Sequence, residues 1–475
     1  MRPSLARLPA LVALSAALGA CASISADRGM APVVSRVSLE LGKDTAKITT
    51  PADAAAVQSR VARLLAKPLT ADGAVQVALL NNRGLQAEYN ALGVSEAEYV
   101  EASLPPSPTV SIERVAGSGD LDVERRLIAD LLQLLTLPRR TKIAESEFRA
   151  AQYRAIGATF RTAVEARRAY YRAVAARETA AFLETARASA GAAAELTRKL
   201  GETGAATRLD QARSGALYAE VATELAEARL EAAKEREALT RQLGLWGRDL
   251  DYRIPARLPS LPRLKTQGDV EAVALTRRVD IIADRLALDA LAQAYGLTEQ
   301  TRAISMLEVT GLANHTKSAE GDKANPKGFE VAVQIPIFDF GKARSARAEE
   351  TYMGAVNRLL EKAVNARSEA REAYAAYRGR HEIARAYQGR VLPLRKIISE
   401  ESLLRYNGML VDAFELLTNA RENVASNVAA VRARRDFFIA DVDLQAALIG
   451  GGGAGEASPE PKLASATSPS AASPQ

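Results

Sequence analysis

Few residues in this 475-residue chain are of the kinds that do covalent or metal chemistry, and none are grouped for it. His315 and His381 are the only histidines, and they stand far apart. The five methionines do not cluster and the single cysteine has no second thiol, which argues against a transition-metal site and excludes an intrachain disulfide. No Gly-x-Ser-x-Gly turn or phosphate-binding loop occurs, and the many carboxylates are spread along Arg/Glu/Ala-rich stretches as solvated faces. His315, in a polar run over 314–327, reads as solvated. Tyr170, Tyr171, Tyr374 and Tyr377 read as packing along helix seams. The expectation is a protein that is not an enzyme and holds no cofactor and no metal. A net charge of +6 without a concentrated basic face also argues against nucleic acid as a partner.

The lone cysteine is placed for a different chemistry. Residues 1–20 have a basic start at Arg2 and Arg7, an apolar stretch over 8–18 and no acid, the pattern of a secretory signal peptide and too short for a transmembrane helix. Leu18-Gly19-Ala20 stands directly before Cys21 and resembles a bacterial lipobox, whose cysteine is acylated and becomes the first residue. Acyl chains such as palmitate on Cys21 would hold the N-terminus at a bilayer, each buried CH2 contributing roughly 0.8 kcal/mol. Ala22, rather than an aspartate, fits sorting to the outer membrane.

The elements around these residues are long and alternate in kind. Phe329, Val331, Val333, Ile335 and Ile337 alternate with Glu330, Ala332 and Gln334, which predicts a two-faced strand over 329–337, with Pro336 near its end and Gly341 at the exit. From Lys342 the chain is Ala/Arg/Glu-rich with no proline before Pro393, which predicts a helix over 342–406. Globular helices average only about 11–12 residues. Upstream, Thr70 can cap a helix over 71–103 that Pro105, Pro106 and Pro108 end. Val110 and Ile112 alternate with Ser111 and Glu113 over 109–115, Gly117 to Asp120 signals a turn, and 126–137 predicts the returning strand. A helix of roughly 90 Å follows over 139–200, then a break at 201–204 and a helix over 207–243.

The pattern then repeats. A shift of 196 residues maps Leu79 on Leu275, Leu85 on Ile281, Ala87 on Ala283, Leu92 on Leu288 and Tyr99 on Tyr295. The second half accordingly predicts a helix over 269–302, strands over 305–313 and 329–337, the helix over 342–406, a break at Asn407-Gly408 and a last helix to 449. The chain divides into the signal peptide 1–20, an N-terminal extension 21–68 with one helix over 52–66, a first repeat 69–250, a linker 251–267, a second repeat 268–449 and a disordered tail 450–475. That Ala/Ser/Pro tail cannot sustain a core.

Two strand pairs per chain cannot close a membrane barrel alone, and open sheet edges are not viable in lipid, so several copies must close one together. The strand runs approach the roughly 9–11 residues that a bilayer requires. Helices with Arg/Glu on two sides and Ala/Leu between suit a hollow tube that is wet inside and outside. Aromatics at 5% beside 48% apolar residues, much of them Ala, fit close helix contacts rather than a bulky core.

In that order of elements the chain resembles the TolC-like outer-membrane efflux proteins, in the lipidated branch of OprM-like and CusC-like channels, over about residues 69–449. The resemblance is carried by Leu69-Thr70 through Asn82-Arg83-Gly84-Leu85, by Gly204 to Asp210 at the first break, by Val333 to Gly341 at the second strand-to-helix joint, and by Tyr406-Asn407-Gly408 with Glu415-Leu416-Leu417 at the second break. It implies a mainly α fold with a small transmembrane β part: a homotrimer whose twelve-stranded β-barrel continues into a long α-helical barrel. It also implies internal duplication and an equatorial girdle to which 21–68 and the linker contribute. The implied function is the outer-membrane channel of a tripartite efflux system. Such a channel is anchored in outer-membrane lipid, extends into the periplasm, and passively conducts small molecules or ions handed on by a periplasmic adaptor and an inner-membrane pump.

Carried over by position, the two breaks become periplasmic tips. Gly201, Gly204, Asp210 and Gly408 would contact the adaptor. The acids of the family's aperture map best onto Asp412 and Glu415, with Arg405 and Tyr406 nearby, although the spacing after Gly408 departs from the family by about one residue. Three copies of such acids on one axis would repel one another and attract cations. The same two acids could instead cap or solvate the last helix. The alternative for the whole chain is a periplasmic coiled-coil lipoprotein, an adaptor or scaffold without a pore. That explains the long helices and Cys21 but not why each half carries a strand pair at the same place.

Overall fold

The computed structural model of the chain describes residues 23–451, apart from 118, 119, 267, 319 and 409. Cys21 and the tail from 452 onward lie outside the described residues. Two short helices come first, α1 (Ala31–Leu41) and α2 (Pro51–Leu65). The second starts almost where the sequence predicts, because Thr50 and Asp53 form a reciprocal capping box and Pro51 pre-sets a helical φ in the first turn. The first is an addition to the expected organisation. Val33 and Val37, four residues apart and fully buried, seat it against Val75, Leu79, Tyr89 and Phe160. A helix this short is marginal in water, so it forms through packing that a reading of local composition does not register.

The helix expected over 71–103 is two helices, α3 (Ala71–Asn81) and α4 (Arg83–Ser103). Asn82 leaves the helical region with ψ 119°, its side chain accepts from the Leu85 N–H at 3.1 Å, and its amide donates to the Gln242 carbonyl at 3.0 Å. A hairpin of β1 (Thr109–Gly117) and β2 (Asp120–Asp130) follows. The returning strand expected over 126–137 therefore ends early. Asp130 caps the next helix by accepting from the Gln133 N–H at 2.9 Å, and the leucines over 131–137, strong helix formers, join the helix instead. That helix, α5 (Leu131–Glu202), is 72 residues or about 110 Å long and carries Pro138 in its interior. It turns into α6 (Arg208–Leu243), capped by a Thr207/Asp210 box.

The second half opens with α7 (Val270–Arg277) and α8 (Val279–Gln300), divided at Arg278. Arg278 stands 196 residues after Asn82 and has nearly the same backbone angles, φ −62° and ψ 121° against φ −65° and ψ 119°. Three strands follow, β3 (Met306–Lys317), β4 (Lys323–Ala324) and β5 (Lys327–Gln334). Because β3 runs to Lys317, His315 lies in the ladder and not in a loop, with its Nδ1 2.6 Å from the Asn325 Oδ1. The last strand stops at Gln334, where Pro336 cannot donate to a ladder and instead accepts a turn bond from the Phe340 N–H at 2.7 Å. The chain ends in α9 (Lys342–Ala386), one π-helical turn at Tyr387–Val391, α10 (Leu392–Asn407) and α11 (Ala413–Ile449). The wide turn accommodates Pro393, which has no N–H to give, so the helix expected over 342–406 is continuous in course but not in hydrogen bonding.

All strand pairs are antiparallel, in the order β1-β2-β3 with β5 on the far side of β3 and β4 pairing its end. The main core sits midway along the long helices. Tyr170, Leu239, Leu243, Tyr377, Phe437 and Phe438 fill it, Tyr171 and Tyr374 pack on its margin, and alanines such as Ala370 and Ala384 let the backbones approach. Tyr171 stacks on Phe438 at 4.7 Å, and His381 meets Phe437 edge-on at 5.3 Å while its Nε2 lies 3.0 Å from the Pro262 carbonyl. The tyrosines are seam packing, as expected, and His381 is a buried core histidine.

Candidate conduit and helical tips

The ladder register sorts the sheet by chemistry. Residues directly opposite one another share a face. Pairing Val110 with Leu127, Leu127 with Gly311 and Gly311 with Phe329 therefore defines one side. That side holds Val110, Ile112, Leu127, Ala129, Leu307, Val309, Phe329, Val331 and Val333 over the half nearest the helices. The other side holds Ser111, Glu113, Asp122, Glu124, Arg126, Glu308, Thr310 and Glu330. Phe329, Val331, Val110 and Ile112 are all more than half exposed, so the apolar side has no partner among the described residues. An uncovered apolar sheet face of this size needs an apolar medium or another chain.

Where β5 passes into α9 the chain makes a tight turn. Asp339 accepts from the Gly341 and Ala343 N–H groups at 2.9 and 3.2 Å, and those bonds hold its carboxyl below the usual range. Gly341 has φ +71°, and a Cβ there would stand 2.5 Å from the Arg302 carbonyl oxygen, so no other residue fits. Ile337, Phe338 and Phe340 are left pointing outward, Phe338 almost wholly exposed.

At the opposite end of the helices the two expected breaks are real and lie side by side. Gly201 is in the last turn of α5, and Gly204 reverses the chain with φ +78°, its N–H donating to the Gly201 carbonyl at 3.1 Å. Asp210 accepts from the Thr207 hydroxyl and N–H at 2.6 and 3.2 Å, which holds its carboxyl below the ordinary value. In the second break Gly408 keeps a negative φ and donates to the Leu404 carbonyl at 3.0 Å. Arg405, Asp412 and Glu415 are exposed and Tyr406 is half-buried. Asp412 caps α11 by accepting from the Glu415 N–H at 2.9 Å, the role weighed against the gate. Capping uses one of its oxygens, and the rest of its charge and all of Glu415 face solvent.

Solved structures with this architecture include CusC, at 18% identity and a TM-score of 0.69 over 80% of this chain and 91% of that one. The Campylobacter jejuni outer membrane channel CmeC matches at 18% identity and a TM-score of 0.70 over 80% and 86%. The outer-membrane channel OprN matches at 18% and 0.68 over 91% and 97%. The chain shares the fold of these solved structures. No protein-family model and no curated protein matches the sequence.

Within the outer-membrane channel fold, the structure brings Arg405, Tyr406, Gly408, Asp412 and Glu415 into one turn, and Gly201, Gly204 and Asp210 into the neighbouring one. What joins the two turns was not readable. The Arg213 guanidinium stands over the Phe414 ring at 4.6 Å, Arg421 pairs with Glu220 at 2.7 Å, and Leu217 and Val221 pack against Leu417 and Ala420. These contacts link α6 to α11 across some two hundred residues, and nothing in the local pattern of either segment signals them.

Proposed function

We propose that the chain is the outer-membrane channel component of a tripartite efflux system, a trimer that passively conducts small molecules or ions received from a periplasmic adaptor and an inner-membrane pump. The observation that carries this is the sheet: one face apolar and uncovered, the other carrying the strand acids, and the outer edges of β1 and β5 without a partner strand among the described residues. Sheet edges cannot be left open in lipid. Closure by further copies removes the edges, places the apolar face on lipid and leaves the acidic face around a wet lumen. With four long strands from each of three protomers the barrel is twelve-stranded, and the helices continue it as a tunnel. The matching backbone angles at Asn82 and Arg278 support the reading of residues 69–250 and 268–449 as two repeats.

Three further assignments belong to this reading. Cys21 is the acylated anchor, so Cys21→Ala should lack the acyl mass on the mature chain. Asp412 and Glu415, with Arg405 and Tyr406 beside them, form the charged aperture. The turns at Gly201, Gly204, Asp210 and Gly408 meet the adaptor.

Electron microscopy of the detergent-purified, full-length protein tests the core of the proposal. A uniform three-fold needle, well over ~100 Å long given the length of α5, that conducts ions in planar bilayers is the expected result. Monomeric rods with no barrel would refute it and favour a coiled-coil scaffold.

A further inference from the structure

The charges of the sheet are sorted more sharply than its apolar residues, of which Val115, Ile128, Met306 and Leu312 lie on the acidic side. Following the same register outward from the helices, the apolar side continues into Arg114, Arg125, His315, Lys317, Lys323 and Lys327. Among the described residues, no carboxylate of any strand lies on that side. Glu113, Asp120, Asp122, Glu124, Asp130, Glu308 and Glu330 all fall on the other, which holds a single strand cation, Arg126, paired with Glu124 at 2.6 Å. Carboxylates reappear only in the turn beyond the ladder, at Glu320 and Asp322.

From this we infer that the cationic half of the outward face is a docking surface for phosphate-bearing headgroups of the surrounding lipid. The inference rests on the reading of the apolar face as lipid-facing.

Three features specify that occupant. The first is position. The cations begin at the row Ile112, Arg125, Ala313, Lys327, where the unbroken apolar rows stop, so they stand at the boundary between hydrocarbon and headgroups. The second is crowding of like charge. Lys317 lies directly across the ladder from Lys323, and Arg125 and Lys327 flank Ala313 from opposite sides. Directly opposed like charges destabilise a ladder, and an anion between them reverses the sign of that interaction. The third is donor chemistry. Arginine forks and lysine ammoniums are the side chains that suit phosphate oxygens, and all five of these cations are exposed. A merely solvated surface would carry both signs interspersed.

Native mass spectrometry of the full-length, detergent-purified protein tests this. The probes are a diphosphorylated glycolipid, the same lipid with its phosphates removed, and inorganic phosphate as competitor. The expected result is a preference of about tenfold or more for the phosphorylated lipid, as several charge-assisted contacts imply, that millimolar inorganic phosphate does not abolish. The combined variant Arg114→Gln, Arg125→Gln, Lys317→Gln, Lys327→Gln should lose the preference, whereas Arg126→Gln, on the other face, should keep it. Equal binding of both lipids by the unaltered protein, which depends on no variant folding, overturns the inference. So does complete displacement by inorganic phosphate, which would mark a free-anion site. Bilayer conductance separates the two levels: a conducting protein without lipid preference sinks only this inference, and one that inserts into no bilayer sinks the channel reading beneath it as well.

Discussion

Arg278→Ala should be among the most destabilising single substitutions in the chain. The guanidinium is 5% exposed. It donates to Asp280 through two bonds of 2.9 and 3.1 Å and to Glu369 through one of 2.5 Å, tying the break between α7 and α8 to α9. Removing one partner of a buried pair typically costs ~3–5 kcal/mol. Here Asp280 keeps a third of its side chain exposed and one N–H bond from Ile281, and Glu369 is nearly half exposed, so solvent recovers part of the loss. We expect about 2–3 kcal/mol. The loss should depend on pH. Burial pushes the Asp280 carboxyl up, but the bonds and charge of Arg278 overcome this and hold it below its ordinary value of 3.8. In the unaltered protein the pair's contribution is therefore present above that value and fades as pH falls through the lowered one. Without Arg278 the carboxyl loses its main lowering partner, so the penalty of the variant is largest near neutrality and shrinks as pH falls below 3.8 and Asp280 protonates. Urea unfolding in detergent at pH 7 and at about pH 3, below the ordinary carboxylate value, measures both effects. Adding Asp280→Asn should restore part of the loss at pH 7. A loss below about 1 kcal/mol, the scale of a surface pair, or a penalty that grows toward acid, would refute the reasoning.

Gly341→Ala should cost at least ~2 kcal/mol, because it combines a left-handed backbone with a Cβ 2.5 Å from a carbonyl oxygen. Gly354→Ala, half-buried in α9 with nothing closer than 3.8 Å, should stabilise by about 0.8 kcal/mol in the same unfolding assay. Asp412→Asn with Glu415→Gln should lower cation preference in single-channel recordings while leaving unfolding unchanged, since asparagine caps as well as aspartate; unchanged selectivity would assign these acids to capping alone. Tyr89→Phe removes a buried hydroxyl 3.0 Å from the Thr159 hydroxyl and should cost ~1 kcal/mol, with little more because Thr159 still donates to the Ala155 carbonyl.

The places where expectation and structure part have a common cause. The N-terminal helix over Val33 and Val37, the extension of β3 through His315 and the break at Arg278 are each settled by a contact outside the local window, whereas the start of α5 at Leu131 is settled by the Asp130 cap beside it. Arg278 has no breaking signal of its own; it is extended because Asp280 and Glu369 surround its side chain. The breaks at 201–204 and 407–408 were legible because glycines mark them, whereas the Arg213–Phe414 contact that holds the two tips together was not, since each residue is unremarkable on its own helix.

By itself the sequence determined most of the order of elements and the two-faced character of the strands, because periodicity, prolines, glycines and caps act within a few residues of one another. Only the tertiary structure decided which strand residues share a side. Alternation within one strand leaves the relative register of its neighbours open, and a one-residue slip would exchange the two sides. The observed register aligns Val110, Leu127 and Phe329 on one side, with Arg114, Arg125 and Lys327 beyond them, and gathers the seven strand acids on the other. That alignment turns two amphipathic hairpins into a wall with one apolar side and one acidic side.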